Sequence, residues 1–215
     1  MTSSSAHSSV LSVTQCWAIA AINTALTMVA APASADEGDW SLQMQEGNVS
    51  VYTREVEGSP YHAVLGKVMI NAPAARVAEF MGDGSRCAEW RAQCKSSKVL
   101  ETISDRERYI YMVLDMPWPA KDRDMVVHIT GHQDDANRVA TITLQSDSEH
   151  YPEQKFIRAE TRGEFVIKSL GANQVEFIYE MQTDLGGDLS PSLVNPRLTE
   201  ATFQDLTKLQ ELAEG

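Results

Sequence analysis

The chain has 215 residues, 43% of them apolar and 22% charged, a size and balance that fit one globular domain plus a short extra segment. Its 18 Lys and Arg stand against 30 Asp and Glu, a formal charge of −12. So acidic a body repels phosphate backbones and anionic lipid surfaces, which excludes nucleic acid from the expected partners.

Residues 1–35 contain no Lys, Arg, Asp or Glu, and an apolar run from Cys16 to Ala31 is closed by Pro32-Ala33-Ser34-Ala35. Small residues at Ala33 and Ala35, followed at once by Asp36 and Glu37, are what a signal peptidase reads. A signal peptide over 1–35, cleaved after Ala35, is therefore expected, with a periplasmic or secreted mature chain over 36–215. A membrane anchor is the rival, since about 20 apolar residues can span a bilayer. Asn23 and Thr24 interrupt the run and favour cleavage.

From Asn48 to Val56 every second residue is apolar, the mark of a half-buried strand. Gly58-Ser59-Pro60 ends it, and Tyr61 to Ile70 resumes as its hairpin partner. Pro73 opens a helix with Val77, Phe80 and Met81 at helical spacing, and Gly82-Asp83-Gly84 stops it. Ser85 to Gln93 reads as a short second helix or a loop carrying Trp90. This stretch and its neighbour hold the two cysteines of the mature chain, Cys87 and Cys94. On one continuous helix they would lie about 10 Å apart and could not bond. A disulfide requires the helix to break near Trp90; two unpaired thiols are the alternative.

Six strand patterns follow, at 95–103, 106–115, 123–132, 138–147, 156–168 and 173–183. Their separators carry turn chemistry: Ser104-Asp105, Asp134 to Asn137, Gly171-Ala172-Asn173 and Gly186-Gly187-Asp188. Pro191 then starts a long helix on which Leu198, Ala201, Leu206, Leu209 and Leu212 can share a face. The sum is an α+β domain of one curved antiparallel sheet closed by a C-terminal helix. The concave face of such a sheet is wider than its own side chains fill, so a helix laid across it leaves an apolar hollow. Ile110, Met112 and Leu114, then Met125, Val127 and Ile129, then Val175, Phe177, Tyr179 and Met181 stand at alternate strand positions. They suit the lining of that hollow, or else an ordinary core.

Catalytic and metal-binding patterns are missing from this sequence. None of His7, His62, His128, His132 and His150 has ligand spacing to another, and the four-residue step from His128 to His132 spans about 13 Å on a strand. No nucleophile elbow, phosphate loop or dinucleotide fingerprint occurs, so neither metal nor cofactor is expected. Pro117-Trp118-Pro119 reads as a rigid strand connector, and Arg123-Asp124 as the source of a structural salt bridge, because no nucleophile or base accompanies it.

Leu114-Asp115-Met116-Pro117-Trp118-Pro119-Ala120-Lys121-Asp122-Arg123-Asp124 resembles the START domain, the lipid-transfer family related to steroidogenic acute regulatory protein, within the helix-grip superfamily. Other segments resemble that family in the same order: Trp40 with Gly47 to Arg54, as a helix end and first strand; Asp83, Trp90, Cys94 and Lys98 to Glu101; Ser148 to Pro152 leading to Ile157-Arg158-Ala159; and Gly186-Gly187-Asp188 with Leu193-Val194-Asn195. The resemblance covers about 40–210. It implies a helix-grip fold and a monomeric carrier holding one lipid between sheet and last helix, with transient membrane contact for exchange.

The same resemblance implies a cavity lined by Met112, Leu114, Met125, Val127, Phe177, Tyr179, Val194, Leu198 and Ala201, with His150 and Phe156 at its mouth and a gate formed by 148–155 and the start of the last helix. Sterol-binding members carry a basic residue where this chain has Ile129, which puts a sterol anchor in doubt and leaves His128 and Arg158 as replacement polar anchors. Two rivals stand beside the carrier. One is an enzyme of the same superfamily, a cyclase, aromatase or hydrolase drawing on Tyr109, Tyr111, Tyr179, His128 and Glu180; the other is a scaffold whose hollow is filled by its own side chains.

Overall fold

Alternation of apolar and polar residues builds most of this molecule. The computed structural model describes residues 39–82 and 84–215; the expected signal peptide, its cleavage site and Asp83 lie outside the described residues. The chain opens with β1 (Ser41–Glu46), β2 (Val49–Arg54) and β3 (Ala63–Ile70), and continues through α1 (Ala74–Gly82), a one-turn 3-10 helix (Gly84–Arg86) and the single-turn α2 (Cys87–Trp90). Seven strands follow, β4 (Cys94–Ser104), β5 (Glu107–Leu114), β6 (Arg123–Asp134), β7 (Val139–Ser146), β8 (Ile157–Arg158), β9 (Glu160–Gly171) and β10 (Gln174–Asp184), and α3 (Pro191–Glu214) closes the chain.

The strands form one sheet in the order β1-β2-β3-β10-β9-β7-β6-β5-β4, with β8 attached to β6. Every pairing is antiparallel except β6 with β8, and the sheet curves around α3 in the helix-grip manner the sequence predicts. Two elements differ from expectation. Ser41–Glu46 is a strand rather than the end of a helix, because Gly47 at φ +58° turns the chain tightly enough for Glu46 to pair with Val49. The single strand expected at 156–168 divides at Ala159: Ile157 and Arg158 pair parallel with Arg123 and Asp124, and the rest runs between β7 and β10.

The concave face carries the main core. Ile110, Met112, Leu114, Met125, Val127, Ile129, Val175, Phe177, Tyr179 and Met181 all lie in it, joined by Val77 and Phe80 of α1, Trp90 of α2 and Leu206 and Leu209 of α3. On the opposite face of β5 and β6, Tyr111, Val113 and Val126 form a second cluster with Tyr109, Tyr151 and Phe156. Helix α3 lies hard against β3 at Gly66, where a Cβ would meet Leu206 Cδ1 at 2.5 Å and Thr202 Cγ2 at 3.0 Å. Glycine there lets the helix approach the sheet closely. Among the described residues no helix is long and apolar enough to cross a membrane.

Candidate functional site

The inward set does not fill the concave face evenly. At one end α1 and α2 bring Trp90 against Phe165, which also packs on Phe177 and Tyr179, with ring centroids 5.9, 5.8 and 5.3 Å apart. That aromatic wall belongs to the main core. Beyond it, among the described residues, α3 is the helix that covers the sheet, and a cavity of about 570 Å³ remains, a volume typical of ligand sites. Leu114, Met116 and Met125 form one apolar side, Val64, Tyr179 and Met181 another, and Val194, Leu198 and Ala201 of α3 the roof.

Of the residues expected to line the hollow, Leu114, Met125, Tyr179, Val194, Leu198 and Ala201 therefore do so. Met112, Val127 and Phe177 face the same way but do not reach it. They lie farther along their strands, in the part of the core that α1, α2 and the aromatic wall fill.

The other four expected site residues sit on the opposite face. His128 falls between inward Val127 and Ile129, so its side chain must point outward. Its ring stacks on Tyr109 with centroids 4.5 Å apart, and Nε2 meets Glu107 at 2.9 Å. His150 stacks on Tyr109 at 3.5 Å and meets Glu101 at 3.0 Å, while Phe156 packs into the outer cluster. Arg158 binds Asp124 through Nε at 2.9 Å and donates to the carbonyls of Ser148, Tyr151 and Pro152. Those bonds hold the 148–155 loop to the outer face, so the mouth is bounded instead by Pro117–Ala120, His62 and the chain from Leu185 to Leu193.

Two residue groups read as structural stand beside the cavity. Trp118 is 92% exposed and packs no core; it stands at the mouth, which the exposed Leu193 also lines. The salt bridge read at the start of β6 is made by Asp124 with Arg158 of β8, while Arg123 has partners of its own. Arg123 is fully buried and donates to the backbone carbonyls of Lys121, Leu185 and Gly186, clamping together the two loops that bound the mouth. Asp124, also fully buried, pairs with Arg158 and accepts from the Tyr111 hydroxyl at 3.0 Å.

The inner end of the cavity holds a polar cluster absent from the expected set. Arg91, just after α2, directs Nε toward Asp205 Oδ2 at 3.5 Å and donates through Nη2 to the Tyr179 hydroxyl at 3.0 Å. Asp205 Oδ1 accepts the Ala92 N–H at 2.8 Å, and Thr202 lies one turn earlier on α3. Burial raises the Asp205 carboxyl above its ordinary range while Arg91 opposes the rise; burial likewise raises the Tyr179 phenol against Arg91. Arg91 remains a firm cation: burial acts against its charge, and Tyr179 and Asp205 more than restore it. The available signal was a polar residue, Asp205, placed one turn from the apolar positions of a helix expected to roof a hollow.

Cys87 and Cys94 are bonded, with their Cα atoms 5.9 Å apart. The helix breaks after Trp90, where Arg91 turns extended, and the bond fixes Arg91 between its two ends. Of the five acid–base groups named for an enzyme, Tyr179 alone lines the cavity: Tyr109, Tyr111 and His128 face outward, and Glu180 pairs with Arg54 at 3.1 Å. Among the described residues no three His, Cys, Asp or Glu side chains converge to hold a metal ion.

Comparison with known proteins follows the same lines. A family model of the START domain matches residues 22–212. The chain is 31% identical to an uncharacterized protein of Pseudomonas aeruginosa over 178 residues, 82% of this chain and 87% of the relative. It is 28% identical to the human ceramide transfer protein over 98 residues, which is 42% of this chain and only 15% of that protein. Among solved structures, the STAR-related lipid transfer protein (fragment 25-204) from Xanthomonas axonopodis gives a TM-score of 0.73 at 28% identity, covering 80% of this chain and 97% of that one.

Proposed function

Because the chain belongs to the START domain family, we propose that it is an exported, monomeric carrier that binds one amphipathic lipid, shields it from water and passes it between membranes. The observation that carries this reading is the 570 Å³ cavity, with apolar walls, a polar cluster at its inner end and an opening rimmed by exposed Trp118 and Leu193. Each methylene taken from water contributes about 0.8 kcal/mol, so a hydrocarbon chain along the Leu114, Met125 and Leu198 walls is held without charged contacts. An indole at the mouth suits the headgroup level of a bilayer, and the net charge of −12 directs the contact to neutral rather than anionic surfaces. The Ala33-Ser34-Ala35 pattern and the Cys87–Cys94 bond both fit an oxidising compartment outside the cytoplasm.

Native mass spectrometry of the protein purified from its own host, followed by organic extraction, tests the reading. One co-purifying lipid class is expected; an empty protein that also fails to take up fluorescent lipids would sink it. Amino-terminal sequencing of the mature protein should begin Asp36-Glu37-Gly38, and an intact Met1 in the membrane fraction would refute cleavage.

A further inference from the structure

We propose that the polar end of the bound lipid is an uncharged group that both donates and accepts hydrogen bonds, an amide or an alcohol, and not a carboxylate or a phosphate. This rests on the carrier reading and extends it to the chemistry of the cargo.

The fixed charges lining the cavity balance in number, Arg91 and Arg197 against Asp205 and Asp188, with His62 beside them, and Arg91 and Asp205 form an ion pair at the inner end. Arg91 is already engaged by Asp205, and no second cation lines the inner end. An anionic head brought there would lie beside the Asp205 carboxylate, in a buried setting where repulsion is poorly screened. A cationic head would meet Arg91 on the same terms.

Hydrogen-bonding capacity is what the cluster leaves open. A guanidinium has five N–H groups, and the bonded partners of Arg91 are Asp205 at Nε and Tyr179 at Nη2. Its Nη1 has no protein partner among the described residues and is not sealed from the cavity, since Ser97 Oγ is the only buried side-chain polar atom among them left without a bond. The Tyr179 hydroxyl, having accepted from Arg91, keeps its own proton to donate. On the accepting side, each Asp205 oxygen has more than one lone pair and a single contact. A head with one oxygen to accept from Arg91 and Tyr179, and one N–H or O–H to donate to Asp205, completes this set. A hydrocarbon end would leave it unfilled, at the cost of buried polar groups without partners. From Leu193 at the mouth to Asp205 the roof helix rises about 18 Å, which sets the length of tail that separates the head from the opening.

The test uses the purified protein stripped of lipid and four probes with the same fluorescent tail: a long-chain N-acyl amino alcohol, a long-chain primary alcohol, the free fatty acid and the alkyl phosphate. At pH 7.5 the amide and the alcohol should bind at least tenfold tighter than the carboxylate and the phosphate. Asp205→Asn, which keeps the shape and the acceptor for Ala92, leaves Arg91 as an unmatched cation; the fatty acid should then gain about tenfold and overtake the amide. Tyr179→Phe supplies a second variant should the first fail to fold, and should weaken the amide several-fold through loss of one hydroxyl. Wild-type binding of the fatty acid as tight as that of the amide overturns the inference and leaves the carrier reading standing, as does an unchanged ranking in Asp205→Asn. Binding of none of the four overturns the carrier reading itself.

Discussion

Arg123 and Asp124 are neighbours on one strand, and that adjacency sends their side chains to opposite faces. Each is fully buried, and each finds its partners separately: backbone carbonyls for Arg123, Arg158 and Tyr111 for Asp124. Replacing Asp124 by Ala strands the Arg158 guanidinium without its counter-charge and should cost about 3–5 kcal/mol in urea unfolding. The same site governs stability in alkali. Burial, then the hydrogen bond and charge of Asp124, push the Tyr111 phenol up to about 12. The unfolded chain releases that proton near pH 10. The folded state holds it longer, so the contribution is complete below pH 10 and is lost as pH rises toward 12. Stability should fall across that window, and Tyr111→Phe should make the fall shallower in pH-dependent denaturation curves.

At the level of elements, the segment after α1 settles what the sequence leaves open. A continuous helix from Ser85 to Gln93 would have kept the cysteines apart; α2 ends after one turn, and the Cys87–Cys94 bond becomes possible. With a sequence separation of seven, the closed loop is short, and chain entropy predicts about 2.5 kcal/mol of stabilisation. Reduction with a thiol, or the Cys87→Ala and Cys94→Ala pair, should lower the unfolding free energy by about that amount. Because the bond brackets Arg91, reduction should also weaken lipid binding more than it weakens the fold, read as a loss of probe affinity at temperatures where the circular dichroism is unchanged. Helix α3 shows the complementary case: its apolar face was legible from Leu206 and Leu209, while its polar residue at the cavity, Asp205, was not, since the partner that explains it lies 114 positions earlier in the chain.

At the scale of the whole molecule, the mouth joins parts that the chain keeps far apart: His62, Pro117–Ala120 and Leu185–Leu193. Trp118 supports nothing inside the protein at 92% exposure. Trp118→Ser should therefore leave the melting temperature within about a degree while slowing lipid transfer between neutral vesicles several-fold, measured by fluorescence dequenching; transfer at the unaltered rate would remove Trp118 from the membrane contact. What the sequence determined by itself is the α+β class and the order of nearly all elements, because period-two alternation and turn chemistry are local; it offered an inward set on three strands, but a one-residue shift of register inverts such a set, so the side that faces the hollow stayed open. His128, offered as an anchor, is turned outward by the register the structure fixes, between inward Val127 and Ile129. Only the tertiary structure decided where along the inward side the hollow lies and which charges meet in it. Those depend on how far α1, α2 and the Trp90–Phe165 contact fill the curve of the sheet, and on Arg91 and Asp205 being brought together across the chain, neither of which any local pattern encodes.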